Sequence, residues 1–169
     1  MQLKTILNRI QKHPGFVYGK ARLVEYKEQL ALEIEMNPRA NGLAHCSCCG
    51  LLRPGYDILP QRRFQFVPLW GIMVFFLYAI RRVECPRCGI VVEKVPWADG
   101  KNQTTTTYQW FLAGWAKMLC WTDVAKVFRT SWETVFRSVE MAVEWGRSHM
   151  DLEGVTASPD ARLVKSLVF

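Results

Sequence analysis

Two pairs of cysteines are the residues of this chain best suited to chemistry. Cys46 and Cys49 form the first pair, Cys85 and Cys88 the second, and a glycine directly follows each pair. Four thiolates with this spacing can surround one zinc ion at about 2.3 Å per bond, in a closed tetrahedral site with no position open for a substrate. The pattern therefore predicts a structural Zn²⁺ ion held by these four cysteines.

Other interpretations of the cysteines stay open. Cys48 lies inside the first loop and could replace Cys46 as a ligand, and His45 is a weaker ligand candidate. The second pair also has the spacing of a redox dithiol, but that chemistry needs a helix directly behind the first cysteine, and the β-prone run 90–92 follows instead. The four cysteines could also be metal-free core residues, and Cys120 is predicted to pack inside a helical segment.

The charge of the chain favours a polyanionic partner. Lys and Arg number 22 against 15 Asp and Glu, which gives a net charge of +7. The surplus is uneven, because residues 46–101 carry eight basic and four acidic residues, whereas residues 102–150 carry five and four. A zinc tetrathiolate has a charge of −2, so Arg81, Arg82 and Arg87 are predicted to neutralise the metal centre in part.

Export signals and membrane spans are not predicted. The first 12 residues mix charged and aliphatic side chains, and the longest apolar run, residues 67–80, has 14 residues with a proline and a glycine inside it. A membrane helix needs about 20 residues. Six cysteines in such a chain indicate a reducing compartment. We expect a cytoplasmic, nucleoid-associated protein with no membrane partner.

Strands are predicted on both sides of the cysteine pairs. Residues 16–24 and 32–36 alternate apolar and polar side chains, and residues 27–29 between them would form a hairpin connection. Residues 63–67 and 73–83 flank a turn at 68–71, and a short strand follows the second pair at 89–93. We therefore expect an N-terminal β-hairpin region at residues 1–44 and a zinc-ribbon domain at residues 45–95.

After a linker at residues 96–103, the apolar spacing becomes helical. Residues 108–119 show one apolar face, and a second helix fits 122–128 with Thr122 as its N-cap. Thr130 and Glu133 match a capping box for a third helix that would end near Gly146. The predicted fold class is α+β: a β-rich N-terminal zinc ribbon followed by a three-helix helix-turn-helix unit at residues 104–150.

The polar face of the third helix is predicted to contact DNA, through short polar side chains and arginines that can reach base edges or phosphates: Arg129, Ser131, Thr134, Arg137 and Ser138. Its opposite stripe, which begins at Trp132, is predicted to be core. Two alternatives remain. The three helices could be only a packing unit, and the arginines of residues 53–82 could instead line a sheet face with Phe64, Phe66 and Tyr78 and follow phosphates.

Several segments together resemble the N-terminal part of bacterial insertion-sequence transposases of the ISL-three type. The resemblance covers most of residues 16–157 and lies in residues 46–50, 53–57, 67–71, 81–89, 96–100, 128–132 and 138–146. It implies a zinc-binding N-terminus, a helix-turn-helix, and a DDE-type catalytic domain in full-length members. It also implies binding to the terminal inverted repeats of the element, with Mg²⁺-dependent strand transfer.

The chain departs from the family after Ala157, where the family continues into a strand that ends in its first catalytic aspartate. Asp160 lies outside such a strand context, so no catalytic role is given to it. Two-metal phosphoryl transfer needs several converging carboxylates. Residues 151–169 are therefore interpreted as an atypical tail in place of the catalytic domain, from a frameshift or truncation, and no enzyme activity is expected.

The expected function is DNA binding by a truncated transposase that recognises terminal inverted repeats without strand transfer of its own. The expected partner is double-stranded DNA, together with self-association or association with full-length transposase. One alternative is a small transcription regulator built from the same zinc ribbon and helix-turn-helix. Another is a zinc-stabilised protein-interaction module.

Overall fold

The computed structural model describes residues 3–40, 42–99 and 102–149. The chain forms two compact units, Met1–Tyr108 and Gln109–Phe169, which we call the sheet unit and the helical unit. The described residues form four helices and seven strands: α1 Leu3–Ile10, β1 Phe16–Tyr26, β2 Gln29–Pro38, β3 Ala44–His45, β4 Leu52–Arg53, β5 Gly55–Leu69, β6 Ile72–Cys85, β7 Gly89–Val92, α2 Thr106–Trp115, α3 Trp121–Val127 and α4 Trp132–His149. The predicted tail and Asp160 lie outside the described residues.

A five-stranded mixed sheet builds the sheet unit. Its order is β1-β2-β6-β5, and β7 pairs with the far end of β6. The pair β2/β6 is parallel, and the other pairs of this sheet are antiparallel. Strand β6 is buried along most of its length because both of its faces are packed, with Val74 and Phe76 in one apolar cluster and Met73 and Phe75 in another, which explains its nearly continuous apolar sequence. The strands β3 and β4 form a separate two-stranded ribbon.

Two tight turns fix the register of the hairpins. Lys27 and Glu28 connect β1 to β2 with positive φ angles of 51° and 62°, and Trp70 and Gly71 connect β5 to β6 with 50° and 76°. Paired positive φ values are typical of two-residue hairpin turns whose twist matches that of the strands. The predicted hairpin connections at 27–29 and 68–71 are confirmed.

The main core covers one face of the sheet. Trp97, which follows β7, is fully buried there, and its indole contacts Phe16 at 4.8 Å and Tyr78 at 5.3 Å between ring centroids. Helix α1 adds Leu7 to the same cluster. Phe64, Phe66 and Tyr78 lie in this core, so they do not line an exposed face for phosphates.

The helical unit has a smaller core. Leu112, Val124 and Val135 are fully buried, one each from α2, α3 and α4. Aromatic contacts add to it, among them Phe111 with Phe128 at 4.9 Å between centroids. Many large apolar side chains of this unit remain exposed: Trp115, Met118, Leu119, Val127, Trp132, Phe136, Val143 and Trp145.

The predicted fold class is wrong. The strands before and after the first cysteine pair belong to one mixed sheet, joined by the parallel pairing of β2 with β6, rather than to a hairpin region and a separate ribbon. Alternating polarity identifies strands but not their partners, so this pairing was invisible in the sequence. The described residues are mixed α/β and β-rich, and they do not show a three-helix helix-turn-helix unit. The beginning of α2 lies in the sheet unit, where Tyr108 is fully buried.

The helix ends also differ from prediction. The N-cap position of α3 is Cys120 rather than Thr122, and its side chain makes no capping hydrogen bond. The amide of Thr134 donates to the Ser131 hydroxyl at 3.2 Å, so Ser131 rather than Thr130 caps α4. Helix α4 continues to His149, past Gly146, because one glycine inside a helix is only mildly unfavourable.

Candidate metal centre

Each cysteine pair lies in a tight loop between two strands. The first loop connects β3 to β4, and the amide of Gly50 donates to the Cys46 carbonyl at 2.9 Å. The second connects β6 to β7, and the amide of Cys88 donates to the Cys85 carbonyl at 3.2 Å. Gly50 and Gly89 have φ angles of 71° and 75°, which side chains rarely adopt. The glycine behind each pair is therefore what lets the chain turn away from the sulfurs.

Hydrogen bonds join the two loops. The amide of Ser47 donates to the Val92 carbonyl at 3.2 Å, and the amide of Lys94 donates to the His45 carbonyl at 2.8 Å. On the other side, the amide of Glu84 donates to the Pro54 carbonyl at 3.3 Å. The two-stranded ribbon is thus held against the β6–β7 end of the large sheet, which brings the two cysteine pairs together.

The four predicted ligand atoms form one cluster. The sulfurs of Cys46, Cys49, Cys85 and Cys88 all lie within 4.8 Å of one another, and those of Cys49 and Cys85 are 3.7 Å apart. A regular tetrahedron with metal–sulfur bonds of about 2.3 Å has sulfur–sulfur edges of about 3.8 Å. The arrangement therefore fits a four-coordinate ion. Cys46 and Cys85 are buried, with Val83 and Ala44 packed beside them.

Backbone amides stabilise the first thiolate of each pair. Hydrogen bonding from the amide of Cys49, joined by that of Cys48, lowers the pKa of Cys46 against the opposing effect of burial. Burial opposes ionisation of Cys85 too, but the amides of Arg87 and Cys88 outweigh it and lower the pKa of Cys85 to about 6. The two loops thus present the same pattern, in which the second and third residues after a cysteine donate to its sulfur.

Cys88 behaves in the opposite way. Hydrogen bonding with Cys48, burial and hydrogen bonding with the other sulfurs raise the pKa of Cys88 far above its ordinary value. Four thiolates at these distances repel one another, so they can ionise together only beside a cation. The cluster could therefore hold a metal ion.

Arg53 of β4 lies near the cluster, which the sequence did not reveal. It lies opposite Ala44 in the two-stranded ribbon. Interaction with the Cys85 thiol is the main reason that the pKa of Arg53 is raised, against the effect of burial, and Cys49 adds to it. The only signal in the sequence was its position four residues after Cys49.

The arginines that were predicted to neutralise the metal centre have other partners or positions. Arg81 binds Glu93 through two nitrogens, at 2.7 and 3.0 Å. Arg82 pairs with Asp57. The side chain of Arg87 is exposed, although the backbone amide of Arg87 donates to the sulfur of Cys85. The prediction for these side chains is not supported, because carboxylates bind Arg81 and Arg82 and the side chain of Arg87 is exposed.

The alternative ligands are not among the four grouped sulfurs. Cys48 is exposed, although it interacts with Cys88, and the Nδ1 atom of exposed His45 lies 3.0 Å from the Gly50 carbonyl oxygen. Cys120 is exposed, and its sulfur forms hydrogen bonds with the side chains of Thr122 and Asp123. The prediction that it is packed inside the helical segment is wrong.

The predicted DNA-contacting residues lie at the α3–α4 turn and on the first turns of α4. Arg129, Ser131 and Arg137 are exposed, and Thr134 is half-buried. Ser138 is fully buried, and its hydroxyl donates to the Thr134 carbonyl at 2.6 Å, so this side chain does not present a surface to a partner. Trp132, which was predicted to be core, is 48% exposed.

Arg129 occupies an unusual backbone position. Its φ angle is 52°, its amide bonds to the Lys126 carbonyl, and the next amide, of Thr130, reaches back to the Ala125 carbonyl at 2.9 Å. This is the Schellman arrangement, in which glycine normally takes the left-handed residue. An arginine there carries a conformational cost of about 1–2 kcal/mol.

Within the described part of the chain, every helix is too short or too polar to cross a membrane.

Comparison with known proteins gives one kind of match. Two proteins of Mycobacterium tuberculosis, from strains CDC 1551 / Oshkosh and ATCC 25618 / H37Rv, each named "Transposase for insertion sequence element IS1557", are 33% identical to this chain over 101 residues. The match takes in 59% of this chain but only 23% of each relative. No family model matches the chain. No solved structure matches it significantly. The similarity supports a chain related to transposases.

Proposed function

We propose that this chain binds DNA as part of a transposase-related protein, at the terminal inverted repeats of an insertion sequence. The similarity over 101 residues to two transposases carries the proposal. The net charge of +7 agrees with a polyanionic partner. The match spans 23% of those relatives, so their strand-transfer activity is not carried over to this chain. That this chain is of the ISL-three type stays a prediction.

The metal of the four-cysteine site is zinc in this proposal. Tetrahedral sites of four sulfurs select zinc or iron. A closed site of four thiolates gives the metal a structural role, because every coordination position is taken by protein. The ion would join the two-stranded ribbon to the β6–β7 hairpin, beside the small apolar cluster that contains Val83 and Ala44. Metal binding and folding of this end of the sheet are then one process.

The turn before α4 and its first turns are the proposed DNA contacts, through Arg129, Ser131, Thr134 and Arg137. The left-handed backbone at Arg129 supports this, since strained positions of this kind cluster at functional sites. Arg137 is exposed one turn into α4. Arginine can reach phosphates or the edge of guanine.

Binding to the ends of the encoding element, measured against scrambled DNA of the same length at several salt concentrations, tests the proposal. We expect tighter binding to the ends, with affinity falling as salt rises. Equal affinity for both DNAs at physiological salt, or no dependence on salt, would contradict it.

Arg137→Ala should weaken binding to the element ends by about 1–3 kcal/mol if the side chain contacts a base. Arg147→Ala is the matched control, because it removes the same charge from the far end of the same helix. The two variants should differ in affinity for the specific site. An identical loss in both would show that only net charge matters.

A second candidate function, a zinc-stabilised protein-interaction module, has one observation in its favour. Trp132, Phe136 and Val143 form an apolar stripe on α4 and are 39–48% exposed. Contiguous exposed apolar surface often marks an interaction site. This candidate would be preferred if the zinc-loaded protein ignored DNA altogether and Phe136→Glu abolished self-association in light scattering.

A further inference from the structure

A buried glutamate lies between two exposed arginines on the large sheet. The carboxylate of Glu33, whose side chain is only 3% exposed, accepts from the Nε atom of Arg22 at 3.0 Å and from that of Arg63 at 2.8 Å. Arg22 is directly opposite Glu33 on β1, and Arg63 reaches the same carboxylate from β5, across β6. The sheet thus brings two arginines from distant parts of the chain to one carboxylate.

These side chains lie on the face opposite the main core. Phe64 belongs to the main core, so its neighbour Arg63 lies on the other face, because side chains alternate along a strand. Along β1, Arg22 shares its face with Tyr26, which packs against the second apolar cluster and contacts Phe75 there, at 4.9 Å between ring centroids. The arginines therefore lie beside that second cluster, away from the aromatic rings of the main core.

Both guanidiniums are held in place and still open to solvent. Each binds Glu33 through its Nε atom, while the side chains of Arg22 and Arg63 remain 55% and 53% exposed. The Cζ atom of Arg63 also lies 5.4 Å from the centre of the Tyr26 ring, and the Nζ atom of Lys27 lies 5.5 Å from the same ring. Bonding through Nε leaves the donors of the terminal guanidinium nitrogens for another acceptor.

The charges of this site do not cancel. Burial opposes ionisation of Glu33, but hydrogen bonds from the two arginines outweigh it and lower the pKa of Glu33. One ionised carboxylate balances one arginine, so the second arginine and Lys27 remain in surplus. The next carboxylate of β2 on this face, Glu35, accepts from the amide of Lys20 at 3.4 Å. The surplus favours an anionic ligand, and the exposed guanidiniums can receive it.

We propose that Arg22, Arg63 and Lys27 form a second DNA contact, which binds backbone phosphates without reading the base sequence. The inference rests on the proposed DNA binding and adds the sheet unit to it. Preorganised guanidiniums suit phosphate, because their planar fork can donate two parallel hydrogen bonds to its oxygens. Three neighbouring cations suit a polyanion with regularly repeated charges, and a DNA strand has one phosphate per about 3.4 Å of helix axis.

Arg22→Gln and Arg63→Gln test this, with Arg9→Gln as the matched control. Arg9 is exposed on α1, which packs against the main core on the opposite face, so its replacement removes the same charge elsewhere in the sheet unit. Affinity of the full chain is measured for the element ends and for scrambled DNA at several salt concentrations.

Each site variant should bind both DNAs about three- to tenfold more weakly at physiological salt, because phosphate contacts carry no sequence information. Each should also reduce the slope of log affinity against log salt by about one, and the double variant by about two. Arg9→Gln should keep the slope of the wild type. Each single variant leaves Glu33 with one arginine, so the sheet unit should stay folded, as checked by urea denaturation. Should both single variants unfold, Lys27→Gln at its exposed turn position decides by the same slope.

Unchanged slopes in the folded site variants, or an equal change in Arg9→Gln, would overturn the inference. Variants that bind DNA as wild type does but lose affinity for poly-glutamate would also overturn it, and would indicate an acidic peptide as the partner. A wild type that binds no DNA would overturn the proposed function together with this inference. A wild type that binds DNA, with variants that match it, overturns only this one.

Discussion

The sheet unit and the helical unit use their charged and aromatic residues differently. In the sheet unit, aromatic rings such as Phe76 and Trp97 are buried, and arginines are paired: Arg22 and Arg63 bind the buried Glu33 at 3.0 and 2.8 Å. In the helical unit, Trp132 and Phe136 are stacked on each other and substantially exposed. A basic surplus in the sequence therefore does not mean free charge. In the sheet unit part of it is bound in ion pairs, whereas the exposed aromatic pair of α4 lies in the near-neutral helical unit.

The largest effect should come from a ligand cysteine. Cys85→Ser removes a buried sulfur from the cluster, so we expect loss of metal and loss of cooperative unfolding of the sheet unit, because structural zinc contributes on the order of 10 kcal/mol to such sites. Cys48→Ser, which alters an exposed thiol of the neighbouring loop, should keep both. Metal content and tryptophan fluorescence on heating measure this. Equal metal content and equal unfolding of the two variants would contradict the assignment of Cys85, and not Cys48, as a metal ligand.

The next effect concerns buried and exposed ion pairs. Glu93 is buried beneath Arg81 and also accepts from the Tyr78 hydroxyl and, at 2.8 Å, from the Arg81 amide. Glu93→Gln should cost about 3–5 kcal/mol in the free energy of unfolding, because it leaves the guanidinium of Arg81 uncompensated. Asp57→Asn breaks the exposed pair with Arg82 and should cost about 1 kcal/mol or less. Similar costs in urea denaturation would show that burial does not distinguish the pairs.

Buried His13 should make the sheet unit sensitive to acid. Its ring contacts Trp97, Tyr18 and Phe76 at 5.4–5.9 Å between centroids, and burial lowers the pKa of His13 to about 4. The unfolded chain, with a pKa of about 6.5, binds the proton first. Stability should therefore fall as the pH drops from about 6.5 towards 4, by at most about 3 kcal/mol from this group.

His13→Phe isolates that contribution, since other groups titrate in both proteins. The wild type should lose more stability than the variant between pH 7 and 5, as measured by urea denaturation. His45→Phe, at an exposed position, should keep the dependence of the wild type. Parallel curves for wild type and His13→Phe would contradict the assignment.

The smallest effect concerns Arg129, where one substitution should raise stability and weaken DNA binding. Arg129→Gly should raise the free energy of unfolding by up to about 1 kcal/mol, because glycine relieves the left-handed strain but costs chain entropy. The same change should weaken DNA binding. Arg129→Ala loses the side chain but keeps a Cβ in the strained position, so it should weaken DNA binding without the gain in stability. A variant that gains stability and binds DNA as wild type does would remove Arg129 from the proposed contacts.

Local patterns of the sequence predicted much of the chain. The cysteine spacing predicted the cluster, and alternating residues predicted β1, β2 and the β5–β6 hairpin with its turn. Features that depend on distant neighbours were missed. The parallel pairing of β2 with β6 has no local signal, and Arg53 was indistinguishable from other arginines until the ribbon placed it beside Cys85.

Helix α1 and the exposure of Trp132 were missed for related reasons. Helix α1 has only eight residues, so the helical spacing of its apolar residues, Leu3, Ile6, Leu7 and Ile10, covers too few turns to identify it. The stripe that contains Trp132 and Val135 is apolar throughout, but only Val135 is fully buried. Periodicity identifies an apolar face, and it does not say how much of that face another element will cover.

Metal analysis of the natively purified chain tests the central claim most directly. Elemental analysis should find one zinc ion per chain, and removal of the ion by a chelator should unfold the β3–β4 ribbon with the β6–β7 end of the sheet, as seen by amide hydrogen exchange. A chain that contains no metal and yet keeps these amides protected would contradict the account.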